Sequence, residues 1–95
     1  MAIGDVVTAH SSVNAAASLT IQPGAGAEWV IHNLYYGAEM ELYRTDGVNA
    51  VKIDSDSSLG CRLGAVFHLT NSIYLQLKNV SAGAAYFGYD GIVTK

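Results

Sequence analysis

Ninety-five residues make one domain, enough to bury on the order of 60–65% of the surface that an unfolded chain exposes. Apolar residues are 51% of the chain and charged residues 14%, against about 25% charged in an ordinary soluble domain, so little charge remains to cover an exterior and much of the surface is expected to lie against something else. The net charge of −3 and a pI near 5.3, with Arg44, Lys52, Arg62, Lys78 and Lys95 scattered along the chain, give no basic field for a phosphate backbone and argue against direct nucleic-acid binding.

Met1-Ala2-Ile3-Gly4-Asp5 lacks the basic start and continuous apolar stretch of a secretory signal, and no run approaches the roughly 18 apolar residues of a membrane-spanning helix. The chain is therefore expected to be made and used without general secretory export and without a membrane partner. Residues 3–9 read as an edge strand, or residues 1–18 as an extended N-terminal arm, because this Ala-rich, weakly patterned segment cannot form a core by itself. Within it the Ala15-Ala16-Ala17 run predicts at most one helical turn over Ser12–Ser18, too short to be stable alone.

Leu19 and Ile21 alternate into a strand that stops at Gln22-Pro23-Gly24-Ala25-Gly26. Glu28–Tyr36 is a long strand with Trp29 and Ile31 on one face and Val30, His32 and Leu34 on the other, so both faces carry apolar groups. Glu39–Arg44 places Met40 and Leu42 inward and Glu39, Glu41 and Tyr43 outward. Asp46-Gly47 predicts a two-residue turn with positive φ at both positions, and Val51 and Ile53 alternate with Lys52 on the return strand, making 38–53 a hairpin.

Asp54-Ser55-Asp56-Ser57-Ser58 is a polar loop. A single strand from Cys61 to Leu69 follows, with Leu63, Ala65, Phe67 and Leu69 on one face. Cys61, the lone cysteine, permits neither an internal disulfide nor a multi-cysteine metal site and is expected to pack as a small apolar residue. Ile73–Lys78 alternates as a half-buried strand. Asn79-Val80-Ser81 fits a glycosylation sequon but reads as a loop in a chain with no secretory signal. In the last strand, Ala84–Val93, Gly88 and Gly91 interrupt the alternation and predict a bulge or the close approach of another backbone. Seven to eight strands with turn residues between them, and no convincing helix, predict an all-β fold. Its expected form is one antiparallel β-sandwich or jelly roll spanning residues 1–95.

Chemistry finds little purchase, and the chain is not expected to be an enzyme or to carry a cofactor or metal. His10, His32 and His68 are not spaced to put ligands on one element. Asp54 and Asp56 match the opening of a calcium loop but lack its later ligands. Cys61 has nothing beside it to make a thiolate. Ser11 and Ser12 beside His10 lack nucleophile-elbow glycines, and Gly24-Ala25-Gly26 precedes no phosphate-loop lysine. An enzyme of unfamiliar type would need at least two groups from the set His10, His32, His68, Cys61 and a carboxylate within hydrogen-bond reach of each other in a pocket. Aromatic residues are the remaining signal: Trp29, Tyr35, Tyr36, Tyr86 and Tyr89 are candidate interface residues, since subunit contacts favour Tyr and Trp. A sugar-stacking platform at Tyr35-Tyr36 and Tyr86-Phe87-Gly88-Tyr89 is the alternative.

The runs Leu19-Thr20-Ile21-Gln22-Pro23-Gly24, Glu28-Trp29-Val30-Ile31, Leu42-Tyr43-Arg44-Thr45-Asp46-Gly47 and Leu69-Thr70-Asn71-Ser72-Ile73-Tyr74-Leu75 together resemble the small jelly-roll capsid decoration (cement) proteins of tailed bacteriophages. The likeness covers most of the chain and is one of style, without a diagnostic motif. It implies a structural virion protein made in the host cytoplasm. Such a protein sits on the outer capsid surface as a homotrimer that bridges the major capsid protein and stabilises the shell. A receptor- or carbohydrate-binding tail module of a phage is the alternative on the same scaffold.

Overall fold

The computed structural model describes residues 2–95, all of them strand, turn or irregular chain. Among the described residues nine strands are formed: β1 (Val6–Val13), β2 (Ser18–Ile21), β3 (Glu28–Tyr36), β4 (Met40–Thr45), β5 (Ala50–Asp56), β6 (Gly60–Arg62), β7 (Phe67–Thr70), β8 (Tyr74–Asn79) and β9 (Ala85–Val93). Sheet A runs β1-β9-β3-β6, with β7 also on β3, and sheet B runs β2-β8-β4-β5. Every pairing is antiparallel. The all-β sandwich expected from the alternation is the fold, with its core between the two sheets.

That core takes Val7, Val13, Trp29, Ile31, Leu34, Tyr36, Leu69, Phe87 and Val93 from sheet A and Ile21, Met40, Leu42, Leu75 and Leu77 from sheet B. On β8 the period of two is undisturbed, and Leu75 and Leu77 are buried between half-buried neighbours. β3 departs from it. Ile31 pairs with Gly91 and Asn33 with Asp90, so His32 is an extra residue bulged out of the ladder. The bulge moves Leu34 and Tyr36 to the side of Trp29 and Ile31, whereas unbroken alternation sets Leu34 opposite them. Gly91 permits the approach, because a Cβ there would stand 2.1 Å from the Val30 carbonyl oxygen. The close approach of another backbone expected at Gly88 and Gly91 is thus found at both, with Ala9 O 2.8 Å from a Cβ at Gly88.

The strand expected over Cys61–Leu69 is broken in two. β6 pairs with Tyr36–Leu34 and β7 with Ile31–Glu28, and the connection 63–66 spans the β3 bulge, held by Ala65 N–H to His32 O at 2.8 Å and Gly64 N–H to Asn33 Oδ1 at 3.1 Å. Leu63 and Val66 are consequently exposed, at 68% and 59%. Cys61 is exposed rather than packed inside, because it alternates with the inward-facing Arg62. The turn after β4 also differs from expectation. Thr45 pairs with Ala50, leaving a four-residue connection closed by Asp46 N–H to Asn49 O at 3.1 Å, with positive φ at Gly47 alone of Asp46 and Gly47. No helical turn forms in 12–18. β1 runs to Val13, and a tight turn with Ala17 N–H to Asn14 O at 3.0 Å and Ala16 at φ +66° leads into β2. The first segment is an edge strand, paired with β9 over Val6–Val13.

Candidate functional site

The two outer faces of the sandwich differ in charge. Outward positions of sheet B include Glu41, Tyr43, Lys52, Gln76 and Lys78, with Glu41 opposite Lys78 and an ion pair from Lys52 to Glu41 at 3.4 Å. That is the mixed-charge surface of an ordinary soluble domain. Sheet A is different. Its registers set Val6, Ile92, Val30 and His68 in one row, Thr8, Asp90 and Asn33 in the next, and His10, Gly88, Tyr35 and Cys61 in a third, with Ser12 and Tyr86 beyond. No lysine, arginine or glutamate occurs in these rows; Glu28 stands in the end row, opposite Thr70, and is ion-paired with Lys95 at 3.8 Å.

Asp90 is the one carboxylate in them, and its charge is engaged. One oxygen accepts the Tyr35 hydroxyl at 2.7 Å and the other accepts the Asn33 side-chain amide. The bond to Asp90 is the main cause that holds the Tyr35 hydroxyl above its ordinary pKa. Around this tied centre stand exposed apolar groups: Val6 at 68%, Tyr86 at 64%, Tyr35 at 40% and Ile92 at 37%. The exposed Leu63 and Val66 lie in the adjoining connection 63–66. His10 leans on Tyr86 with ring centroids 6.0 Å apart. The face is open, with no cavity among the described residues, and suits an extended contact better than a small molecule.

Of the five aromatic residues expected at an interface, Tyr35 and Tyr86 stand on this face. Trp29 and Tyr36 point inward at 8% and 3% exposure; Trp29 takes the inner side of β3 by alternation, and the bulge at His32 carries Tyr36 to the same side. Tyr89 is half-buried and stacks on Trp29 at 6.3 Å. These three rings serve the core, so no continuous aromatic platform forms across Tyr35-Tyr36 or Tyr86–Tyr89.

The other sequence candidates are dispersed or engaged. His32 Nδ1 meets Ala65 O at 3.2 Å, while His10 lies on β1 and His68 on β7. No three His, Cys, Asp or Glu side chains among the described residues are grouped to hold a metal. Asp54 and Asp56 belong to β5 rather than to a loop, and both bond Arg62 of β6, at 2.8 and 3.3 Å. Sequence reading missed Val6, Ile92 and the Asn33–Tyr35–Asp90 cluster. The signal for the first two was present, as β-branched residues at the outward phase of two neighbouring strands, but a cross-strand cluster has no local signature. In comparisons with known proteins, no family model and no curated protein matches the chain.

Proposed function

We propose that the chain is a structural virion protein: a capsid decoration (cement) protein that seats its sheet A face on the outer capsid surface as a homo-oligomer and stabilises the shell. The observation that carries this reading is the outer face of sheet A, where exposed Val6, Ile92, Tyr35 and Tyr86 surround a single hydrogen-bonded carboxylate. Such a face loses little desolvation energy on docking, since no charge must be stripped of water without a partner. The strand orders β1-β9-β3-β6 and β2-β8-β4-β5, with early strands alternating between sheets, support the jelly-roll class to which the sequence bears its resemblance.

In this reading the major capsid protein is the partner, and a homotrimer presents three copies of the face. Weak single contacts then add through effective concentration. Capsids stripped of decoration are mixed with the purified chain and pelleted. Saturable binding that raises the shell's disruption temperature is expected, and Tyr86→Lys with Ile92→Lys should abolish it while leaving the thermal melt of the free chain in place. A stable monomer that ignores capsids would sink the proposal, as would a specific glycan-array signal removed by Tyr35→Ala or Tyr86→Ala.

A further inference from the structure

A sheet edge exposes unpaired N–H and C=O groups, and proteins ordinarily blunt it with shortness, bulges or charge. Three of the four edges here are blunted. β2 has four residues. β5 is interrupted opposite Leu42/Tyr43, carries Lys52, Asp54 and Asp56, and is clasped by Arg62. The fourth-strand side of sheet A is divided into β6 and β7, of three and four residues. β1 has none of these devices. It runs eight residues, Val-Val-Thr-Ala-His-Ser-Ser-Val, with no acidic residue, lysine, arginine or proline, in unbroken register with β9.

Its hydrogen-bonding groups divide cleanly between the two sides. Val93 N–H donates to Asp5 O at 2.9 Å, whereas Gly37 N–H donates to Tyr86 O and Thr94 N–H to Glu28 O, both at 2.8 Å. Odd-numbered residues of β9 therefore bond toward β1 and even-numbered ones toward β3. By the antiparallel alternation, Val7, Ala9, Ser11 and Val13 spend their backbone groups on β9, and Val6, Thr8, His10 and Ser12 turn theirs to the free edge.

We infer that β1 is a self-pairing edge: two copies of the chain join β1 to β1 antiparallel about a two-fold axis at His10, making one continuous sheet from two copies of sheet A. This register sets Val7 opposite Val13 of the second copy, both of them core-side valines, and Thr8 opposite Ser12 on the outer side. Apart from His10, which meets its own copy across the axis, no titratable groups oppose each other, and Asp5 falls outside the paired stretch. A one-residue slip would reverse the faces, so the nearest permitted registers are centred on Ala9, which sets Val7 against Ser11 and Asp5 against Val13, and on Ser11, which sets Ala9 against Val13 and Thr8 against Asn14. Pairing at His10 also makes the two charge-poor outer faces contiguous. The inference leaves the sheet A face of the capsid reading in place but replaces its homotrimer with a two-fold dimer, so the oligomeric state in solution separates the two.

Sedimentation velocity of the full chain across a wide concentration range tests it, together with amide exchange and filtered NOE spectra of a mixture of ¹³C-labelled and unlabelled chains. A monomer–dimer equilibrium is expected, with the Thr8, His10 and Ser12 amides slowing in exchange as the dimer fills. An intermolecular contact between the Ala9 and Ser11 α-protons should mark the register. The double variant Thr8→Lys/Ser12→Lys places lysines opposite each other and should weaken the dimer at least tenfold with an unchanged far-UV spectrum. Ser12→Lys alone, which leaves the Thr8 hydroxyl bond to Tyr89 O in place, should weaken it less. A chain that stays monomeric to millimolar concentration overturns the inference and leaves the edge to a strand of another protein. An Ala9–Ala9 or Ser11–Ser11 contact overturns the register. A trimer whose even-numbered β1 amides exchange freely overturns the pairing while leaving the capsid reading intact.

Discussion

Tyr36 on β3 donates its hydroxyl proton to Asp56 on β5 at 2.7 Å, so a core residue of one sheet is bonded directly to the edge strand of the other. Arg62 on β6 completes the clasp. Its Nη1 donates to the Tyr36 oxygen at 2.6 Å and its Nε to Asp54 Oδ2 at 2.8 Å, while the guanidinium carbon lies 5.7 Å from the Tyr36 ring centroid. Tyr36→Phe keeps the ring in the core but strips a donor from Asp56 and an acceptor from Arg62. It should cost about 1 kcal/mol, read as a fall of roughly 4–8 °C in the thermal midpoint of a domain this size.

The same clasp makes stability depend on pH at both the acid and the alkaline end. The Arg62 hydrogen bond holds the Asp54 carboxyl below its usual pKa, and the Tyr36 hydroxyl does the same for Asp56. A depressed native pKa means that the unfolded state binds protons first. Their contribution is therefore present above the unfolded value near pH 4 and is lost as pH falls through the native values. At the other end, burial and the bond to Asp56 push Tyr36 up to about 12, so its contribution is present below about pH 10 and lost as pH rises from there toward 12. Denaturant midpoints measured across both ranges should fall less steeply for Arg62→Met in acid and for Tyr36→Phe in alkali than for the parent chain.

Asn79 closes the opposite corner. Fully buried, it donates to Val13 O at 2.8 Å and Gly83 O at 2.9 Å and accepts Ser81 N–H at 2.9 Å and Ser81 O–H at 2.6 Å. Its amide nitrogen is thus consumed inside the fold, so the sequon it begins presents no accessible acceptor. Asn79→Ala leaves these groups without partners and should destabilise by about 2–3 kcal/mol, measured by urea denaturation. Asn79→Asp should be worse, because a carboxylate would face the two carbonyls that now receive donors.

Much of the sandwich was legible because strands such as β2 and β8 keep a simple period near a turn signal. β8 is the clearest, with Leu75 and Leu77 inward as the alternation requires. What the sequence obscured are the places where the period breaks. His32 carries no bulge signature of its own, yet it decides that Leu34 and Tyr36 face the core and that Cys61–Leu69 becomes two strands. Val51 and Ile53 invite an inward reading, but both are exposed, at 60% and 41%. The phase of β5 belongs to Asp54 and Asp56, which oppose Leu42 and Met40 and reach Arg62. The outer face of sheet A was half legible: Tyr35 and Tyr86 stood out as aromatics, whereas its scarcity of charge emerges only when five strands are laid side by side.

Gly91→Ala tests the bulge itself. The added Cβ would meet Val30 O at 2.1 Å and Ile31 Cα at 2.7 Å, both backbone atoms that no rotamer change can move, so β3 and β9 must part where they meet at Ile31. Parting them breaks the central pair of sheet A and withdraws Ile31 and Leu34 from the core. A loss above about 4 kcal/mol is expected, a large share of the roughly 5–15 kcal/mol that holds a domain folded. Gly24→Ala, where a Cβ meets nothing within 4 Å, should stay within about 0.5 kcal/mol and serves as the control. Deleting His32 together with Gly91→Ala separates two accounts of the clash. If the bulge is what presses the backbones together, removing the extra residue should recover part of the denaturant midpoint lost by Gly91→Ala. If the pair is close for another reason, the deletion should only add to the damage by returning Leu34 and Tyr36 to the outer face.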